Sequence, residues 1–157
     1  MDKAPLLVIR IRGGVEFSFK ILDALENIKL KRNNYATLIA DDPSMRGVLQ
    51  KVKDGVAWGE ASKDTILLLL REKGELEGGV KMTEDEVKKI GFKGIDDLAE
   101  ALSKSAVKLK DVKRIKPFFR LHPPIKGFKK PVKRSRESAG ETGYRGKEIN
   151  ALAARMV

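Results

Sequence analysis

The spacing of apolar residues changes period along this chain, and each change marks an element. Over residues 6–12 (LLVIRIR), Ile9 and Ile11 alternate with Arg10 and Arg12, the two-residue period of a strand. Gly13-Gly14 interrupts the run. From Phe17 the period is helical, with Ile21, Leu22, Leu25 and Ile28 on one face. Lys29, Lys31 and Arg32 fall in the last turn of this predicted helix, where cations offset the dipole, and Asn33-Asn34 makes a turn. Residues 35–40 (YATLIA) read as a second strand. Asp42-Pro43 then starts a helix, an N-cap acceptor before a proline, with Met45, Val48, Leu49 and Val52 as its apolar face. Gly55 ends it, and residues 56–60 (VAWGE) make a short third strand. The order βαβαβ predicts an α/β chain in the broad sense: an α+β two-layer sandwich with both helices on one face of the sheet. A right-handed crossover would make the first two strands parallel if they were neighbours.

Beyond residue 60 the pattern is helical and then irregular. Residues 64–71 form an apolar helix that stops near Gly74, and Thr83 with Glu86 three positions on has capping-box spacing ahead of Val87 and Ile90. Gly91 is a natural stop, and Ile95, Leu98, Ala99 and Leu102 give a third short helix. Pro117, Pro123, Pro124 and Pro131 impose extended geometry on the stretch around them. Residues 138–146 are loop-like, and residues 148–156 form a last helix with Ile149, Leu152 and Met156 on one side. Three segments result: a βαβαβ core (1–60), an acidic helical excursion packed on it (61–105) and a basic extended arm with a short C-terminal helix (106–157). A fragment of residues 1–105 is expected to fold without the arm.

Charge changes this picture at one place. Residues 106–136 hold twelve Lys and Arg against Asp111 alone, a net +11, which equals the net charge of the whole chain. Residues 1–53 carry +4 and residues 54–105 carry −4. Charge spread for solubility would not concentrate in this way, so a polyanionic partner is implied, nucleic acid before an anionic membrane. The prolines also argue against the cationic amphipathic helix that a membrane surface would want. The longest purely apolar run, 66–70, is far short of a membrane span, and the charged N-terminus does not read as a signal peptide. The absence of cysteine excludes disulfides, thiolate metal ligands and a cysteine nucleophile. A cytoplasmic setting is expected.

Catalytic chemistry is thin. His122, the only histidine, lies inside the basic stretch, a place for packing or a phosphate contact more than for general-base work. Asp41-Asp42 before Pro43 reads as a helix cap rather than a metal site. IRIRGGVEF is faintly similar to the acylphosphatase loop, so a small acyl-phosphate or phosphate-ester hydrolase using Arg12, Gly13 and Gly14 stands as the alternative. Arg10 and Arg12 beside a plain glycine turn account for that stretch equally well. The basic–aromatic segment carries more. Lys113, Arg114, Lys116, Arg120 and His122 can meet phosphates, as can Lys126, Lys129, Lys130, Lys133, Arg134 and Arg136. Phe118 and Phe128 can stack on unpaired bases or press against ribose. Alternation in KPFFRLH lets the apolar side pack while Lys116 and Arg120 face out.

Three blocks, DDPSMRGVLQKVKDGVAWGE, KPFFRLHPPIKGF and ETGYRGKEINALAARM, together resemble the archaeal and eukaryotic branch of the large-subunit ribosomal protein L-thirty family, called L-seven in eukaryotes. The resemblance runs from the first strand to the last residue. It implies a ferredoxin-like βαβαβ core and a structural role in binding large-subunit rRNA beside neighbouring ribosomal proteins. It implies no cofactor, no catalysis, no small-molecule substrate and no membrane partner. It further implies RNA contacts at Arg12, Gly13, Gly14 and Lys20 after the first strand, at Lys29, Lys31, Arg32 and Asn33 after the first helix, and at Arg46. The arm adds the stretch 116–136, and Arg10 of the first strand, with Tyr144 and Arg145 of the last block, joins the RNA-binding candidates. A free RNA chaperone outside the ribosome is the third reading.

Overall fold

The structure is a computed structural model and describes residues 4–15, 17–132, 135–138 and 140–157, with the backbone alone of Arg136. At its centre lies β1 (Leu6–Arg10), every residue of which is buried. β2 (Tyr35–Ile39) and β3 (Val56–Glu60) flank it, and two short strands, β4 (Phe119–Arg120) and β5 (Gly143–Tyr144), complete a sheet of order β4-β2-β1-β3-β5. α1 (Phe19–Asn27) and α2 (Pro43–Val52) lie on one face, as the βαβαβ pattern predicts. There Leu6, Val8, Val56 and Trp58 meet Leu25, Ile28, Leu49 and Val52. The opposite side of the same strands, Leu7, Ile9, Ala36, Leu38 and Ala57, packs on a second core. That core is built by α3 (Lys63–Lys73), α4 (Glu84–Ile90), α5 (Ile95–Ser103) and α6 (Ile149–Met156). The α+β class holds, and the helical excursion closes the second face of the sheet.

β1 and β2 are neighbours, but they run antiparallel, with Leu6 opposite Ile39 and Leu7 opposite Leu38. The parallel arrangement expected from a crossover is therefore corrected. The Asn34 amide donates to the Arg10 carbonyl at 2.7 Å, so β2 begins at the end of the sheet where β1 stops. The intervening chain returns to its own starting end and is no crossover. β3 is also antiparallel to β1, so β2 and β3 share a direction, and the crossover runs through α2, over β1. A second correction concerns α1, which ends at Asn27. Lys29 takes a left-handed backbone (φ 68°), so the cations at 29–32 sit in the turn beyond the helix and not in its last turn. Asp42 occupies the N-cap position of α2 without a side-chain cap bond, and lies 3.7 Å from Lys108 instead. Ser62 and Thr83 do cap α3 and α4 through their hydroxyls.

The C-terminal third closes both edges of the sheet. β4 pairs with the outer edge of β2 (Ala36 opposite Phe119), and β5 runs parallel to β3 (Trp58 opposite Tyr144). Such cover leaves two-residue strands at the sheet's edges, which invite aggregation less than long open ones. Close approach at the second edge requires glycine at position 59, because a Cβ there would overlap the Gly146 carbonyl.

Buried side chains also cross the compositional boundaries at 60 and 105: Leu109, Val112, Ile115, Phe119, Leu121, Ile149 and Met156 all belong to the second core. Phe119 is fully buried between β2 and the second helical layer. Phe119→Ala should cost about 3–5 kcal/mol, the usual range for emptying a large aromatic site. A urea-unfolding series on the full chain checks this, and residues 1–105 alone, against the expectation that they fold without the arm, should show no cooperative transition.

Candidate nucleic-acid interface

Three loops meet at the end of the sheet where β1 stops. The Ile11 and Arg12 amides donate to the Gly55 carbonyl, and Asn34 to Arg10, which draws the segments 11–15, 28–34 and 53–55 together. Arg10 does not reach this surface. It is 4% exposed, and its guanidinium donates to the carbonyls of Arg12 (3.0 Å) and Leu30 (2.9 Å). Burial pushes its pKa below the usual arginine value. Its assignment as an RNA contact is therefore corrected: Arg10 braces two loops from inside, because the outward arginine of a strand end is covered by the returning chain.

Arg12 is half-buried, donates to the Asp54 carbonyl at 3.1 Å and lies over the Phe17 ring at 5.0 Å. Gly13 is exposed and open, whereas a Cβ on Gly14 would press on Leu22 at 2.8 Å. Neither glycine has a positive φ, and α1 begins only at Phe19, so the turn forms no left-handed nest of amides. Lys20 is exposed beside Phe19, which is 82% exposed. Lys29, Lys31, Arg32 and Asn33 are exposed in the next loop, with Lys31 3.5 Å from Glu26. Between α1, α2 and β2 lies a groove of about 810 Å³ with Ile21, Ile28, Met45 and Val48 among its walls and Lys20, Lys29, Lys51, Lys108 and Lys110 beside them.

Arg46 belongs to the opposite end. It makes a two-pronged bond to Asp41 (2.5 and 2.7 Å), which raises its pKa above the ordinary value. Tyr144 stands near it, half exposed, donating its hydroxyl to Glu60 at 2.5 Å. That bond pushes the phenol pKa up. Arg145 is turned inward, its guanidinium on Glu141 with both side chains buried. Its assignment as an RNA contact is corrected for the same reason as that of Arg10.

The arm packs as the KPFFRLH alternation predicts. Phe119 and Leu121 are buried and Arg120 is exposed. Phe118 is half-buried and stacks on Tyr35, with ring centres 5.0 Å apart and 10° between planes, so one of its faces is already occupied. Lys116 lies 6.0 Å from the Phe118 ring and donates to Glu75 at 3.2 Å, and Arg120 donates to the same carboxylate. Burial works to raise the Glu75 pKa, but the bonds from Arg120 and Lys116 overcome it and hold the group below the ordinary carboxylate value. Sequence reasoning missed Glu75, since a lone acid forty residues upstream carries no local signal. Lys113, Arg114, His122, Lys126, Lys129 and Lys130 are exposed, and Phe128 is half-buried. Arg155 of α6 fastens this stretch by donating to the carbonyls of Ile125 and Gly127. Lys133 and Arg134 lie outside the described residues, as does the side chain of Arg136.

Among the described residues, no group of three or more His, Asp and Glu could hold a metal ion, and no helix is long and apolar enough to cross a membrane. Exposed cations on loops and on a tethered arm, set on a closed α+β frame, define the class: a basic protein shaped to meet a polyanion. The family model described as Ribosomal protein L30p/L7e matches residues 6–56. The chain is 42% identical over 155 residues to the large ribosomal subunit protein uL30 of Thermofilum pendens, covering 98% of this chain and 99% of that one. It is 43% identical over 159 residues to the uL30 of Korarchaeum cryptofilum (100% and 98%), and 42% over 149 residues to that of Methanopyrus kandleri (94% and 100%). The chain belongs to the Ribosomal protein L30p/L7e family.

Arg10→Ala should lower stability by about 1.5–3 kcal/mol, the range for hydrogen bonds to a charged group, in a denaturant titration, while leaving RNA affinity per folded molecule unchanged. Glu75 is acidified in the folded state, so its contribution is complete above the ordinary carboxyl pKa of about 4.3 and is lost as pH falls through the lower folded value. The urea midpoints of the parent and Glu75→Gln should therefore differ at pH 6 and converge toward pH 3.

Proposed function

We propose that this chain is a structural constituent of the large ribosomal subunit, joining it by binding large-subunit rRNA. The observation that carries the reading is the arm: Lys113, Arg114, Arg120, Lys126, Lys129 and Lys130 face solvent while Phe119 and Leu121, in the same stretch, anchor it in the core. A rigidly seated row of cations can enter RNA without first losing the entropy of a free tail. The loop cluster at Lys29, Lys31 and Arg32 supplies a second point of attachment, so the RNA is held at two places. Binding is electrostatic and neutralises phosphates more than it reads bases. The excursion, residues 61–105 with a net −2, is repelled by phosphate and turns to solvent or to a basic neighbouring protein. The protein works in the cytoplasm, on the ribosome, and catalysis has no part in this reading.

No observation favours the hydrolase. Arg12 rests on the Asp54 carbonyl and the Phe17 ring, and Gly13-Gly14 forms no nest of amides. A free RNA chaperone is separated by co-sedimentation: the chain should stay with large subunits through a high-salt wash. If six to ten phosphates are neutralised, affinity for an rRNA fragment should fall by about three to five decades between 50 and 200 mM salt. Filter binding measures this slope, and a flat response would contradict the electrostatic mechanism.

A further inference from the structure

A cleft of about 380 Å³ opens at the β1-start end of the sheet, between α2 and the β3–β5 edge. Its walls are Leu6, Arg46, Leu49, Gln50, Trp58, Glu60 and Tyr144. We propose that this cleft receives one unpaired guanine of the bound RNA, stacked against Tyr144 and read by Glu60 and Gln50. The inference rests on the rRNA-binding reading above and adds to it a base-specific contact.

Four observations lead there. First, the cleft offers an aromatic wall: Tyr144 is 53% exposed and leans on Trp58 at 6.4 Å, so its ring is held in place while a face stays open. Base–aromatic stacking is the common mode for unpaired nucleotides. Second, the tyrosine is fixed from below by its hydroxyl on Glu60, and through the next residue by the Arg145 amide on the Trp58 carbonyl at 2.7 Å. Third, the polar groups suit one base. A carboxylate accepts only, and guanine alone presents two adjacent N–H donors, N1 and N2, on its Watson–Crick edge. Adenine and cytosine present one amine there, and uracil one imide. Gln50 makes no side-chain hydrogen bond within the protein among the described residues, and its amide is free to donate to the guanine O6. Fourth, Arg46 closes the cleft with a cation that Asp41 holds in a fixed, two-pronged bond. The Arg46 side chain is 63% exposed, so the nucleotide's phosphate can compete with Asp41 for its guanidinium. The larger groove by α1 has the opposite character, apolar walls with lysines beside them, and offers no comparable reading edge.

Trp58 is the only tryptophan, so its fluorescence reports on this cleft and on no other part of the interface. The experiment titrates the full chain with the pentaribonucleotides UUGUU, UUAUU, UUCUU and UUUUU at fixed low salt. UUGUU should change Trp58 emission saturably, with an affinity about tenfold above that of the other three, the scale of a two-bond base contact. Glu60→Gln and Gln50→Ala should each reduce that preference to about twofold or less. Both variants should keep the parent's salt slope on the rRNA fragment. Equal response to all four oligonucleotides, or unchanged preference in both variants, overturns the guanine site. Silence of Trp58 while the rRNA fragment binds normally also overturns it and leaves the rRNA reading standing. If the rRNA fragment itself fails to bind, the broader reading has failed.

Discussion

Leu6–Arg10 can bury all five side chains only because two separate layers cover the two sides of one strand. Alternate residues of β1 enter different cores, Leu6 and Val8 beneath α1 and α2, Leu7 and Ile9 beneath α3, α5 and α6. A strand pointing side chains both ways cannot be stable with one layer, since the second apolar face would remain in water. The βαβαβ unit of residues 6–60 therefore depends on the later part of the chain. The excursion and the C-terminal helix are the missing layer, and the arm and the β5 segment close the edges.

That dependence explains how the arm is ordered. A segment so basic would ordinarily be a solvated tail. Here the apolar residues along it are buried, Val112, Ile115, Phe119 and Leu121 in turn, and the cations between them are left at the surface. Carboxylates then restrain some of those cations. Glu75 holds Lys116 and Arg120, and at the far end of the sheet Asp41 holds Arg46. Each pair fixes the direction of a long side chain that would otherwise sample many rotamers, and each is exposed enough for phosphate to compete. The acidic excursion is thus part of the basic surface's geometry as well as of the core.

The structure also sorts the arginines by depth in a way charge cannot. Arg10 and Arg145 look like any other cation in the chain, but the one is spent on two backbone carbonyls and the other on a buried carboxylate. Both stand where the chain folds back on the sheet, Arg10 under the α1–β2 return and Arg145 beside β3. A cation in such a place is covered by its own protein, and it organises loops instead of touching a partner.

Period and punctuation in the sequence were enough to determine the first three strands, the α-helices α1 to α6 and the side of the sheet on which α1 and α2 lie. These are local properties: apolar alternation, helical spacing, the Thr83 cap, and Gly91 with its left-handed backbone. The concentration of charge in 106–136 was equally legible, because composition needs no partner in space. Tertiary structure alone decided the rest. Two-residue strands such as β4 and β5 have no period of their own and exist only because β2 and β3 offer edges. The antiparallel pairing of β1 and β2 sets Leu6 against Ile39 and Ile9 against Ala36, residues 33 and 27 apart in the chain. Which cations face a partner, which are held by Glu75 and which are buried likewise depends on contacts between distant segments, and no local pattern carries that information.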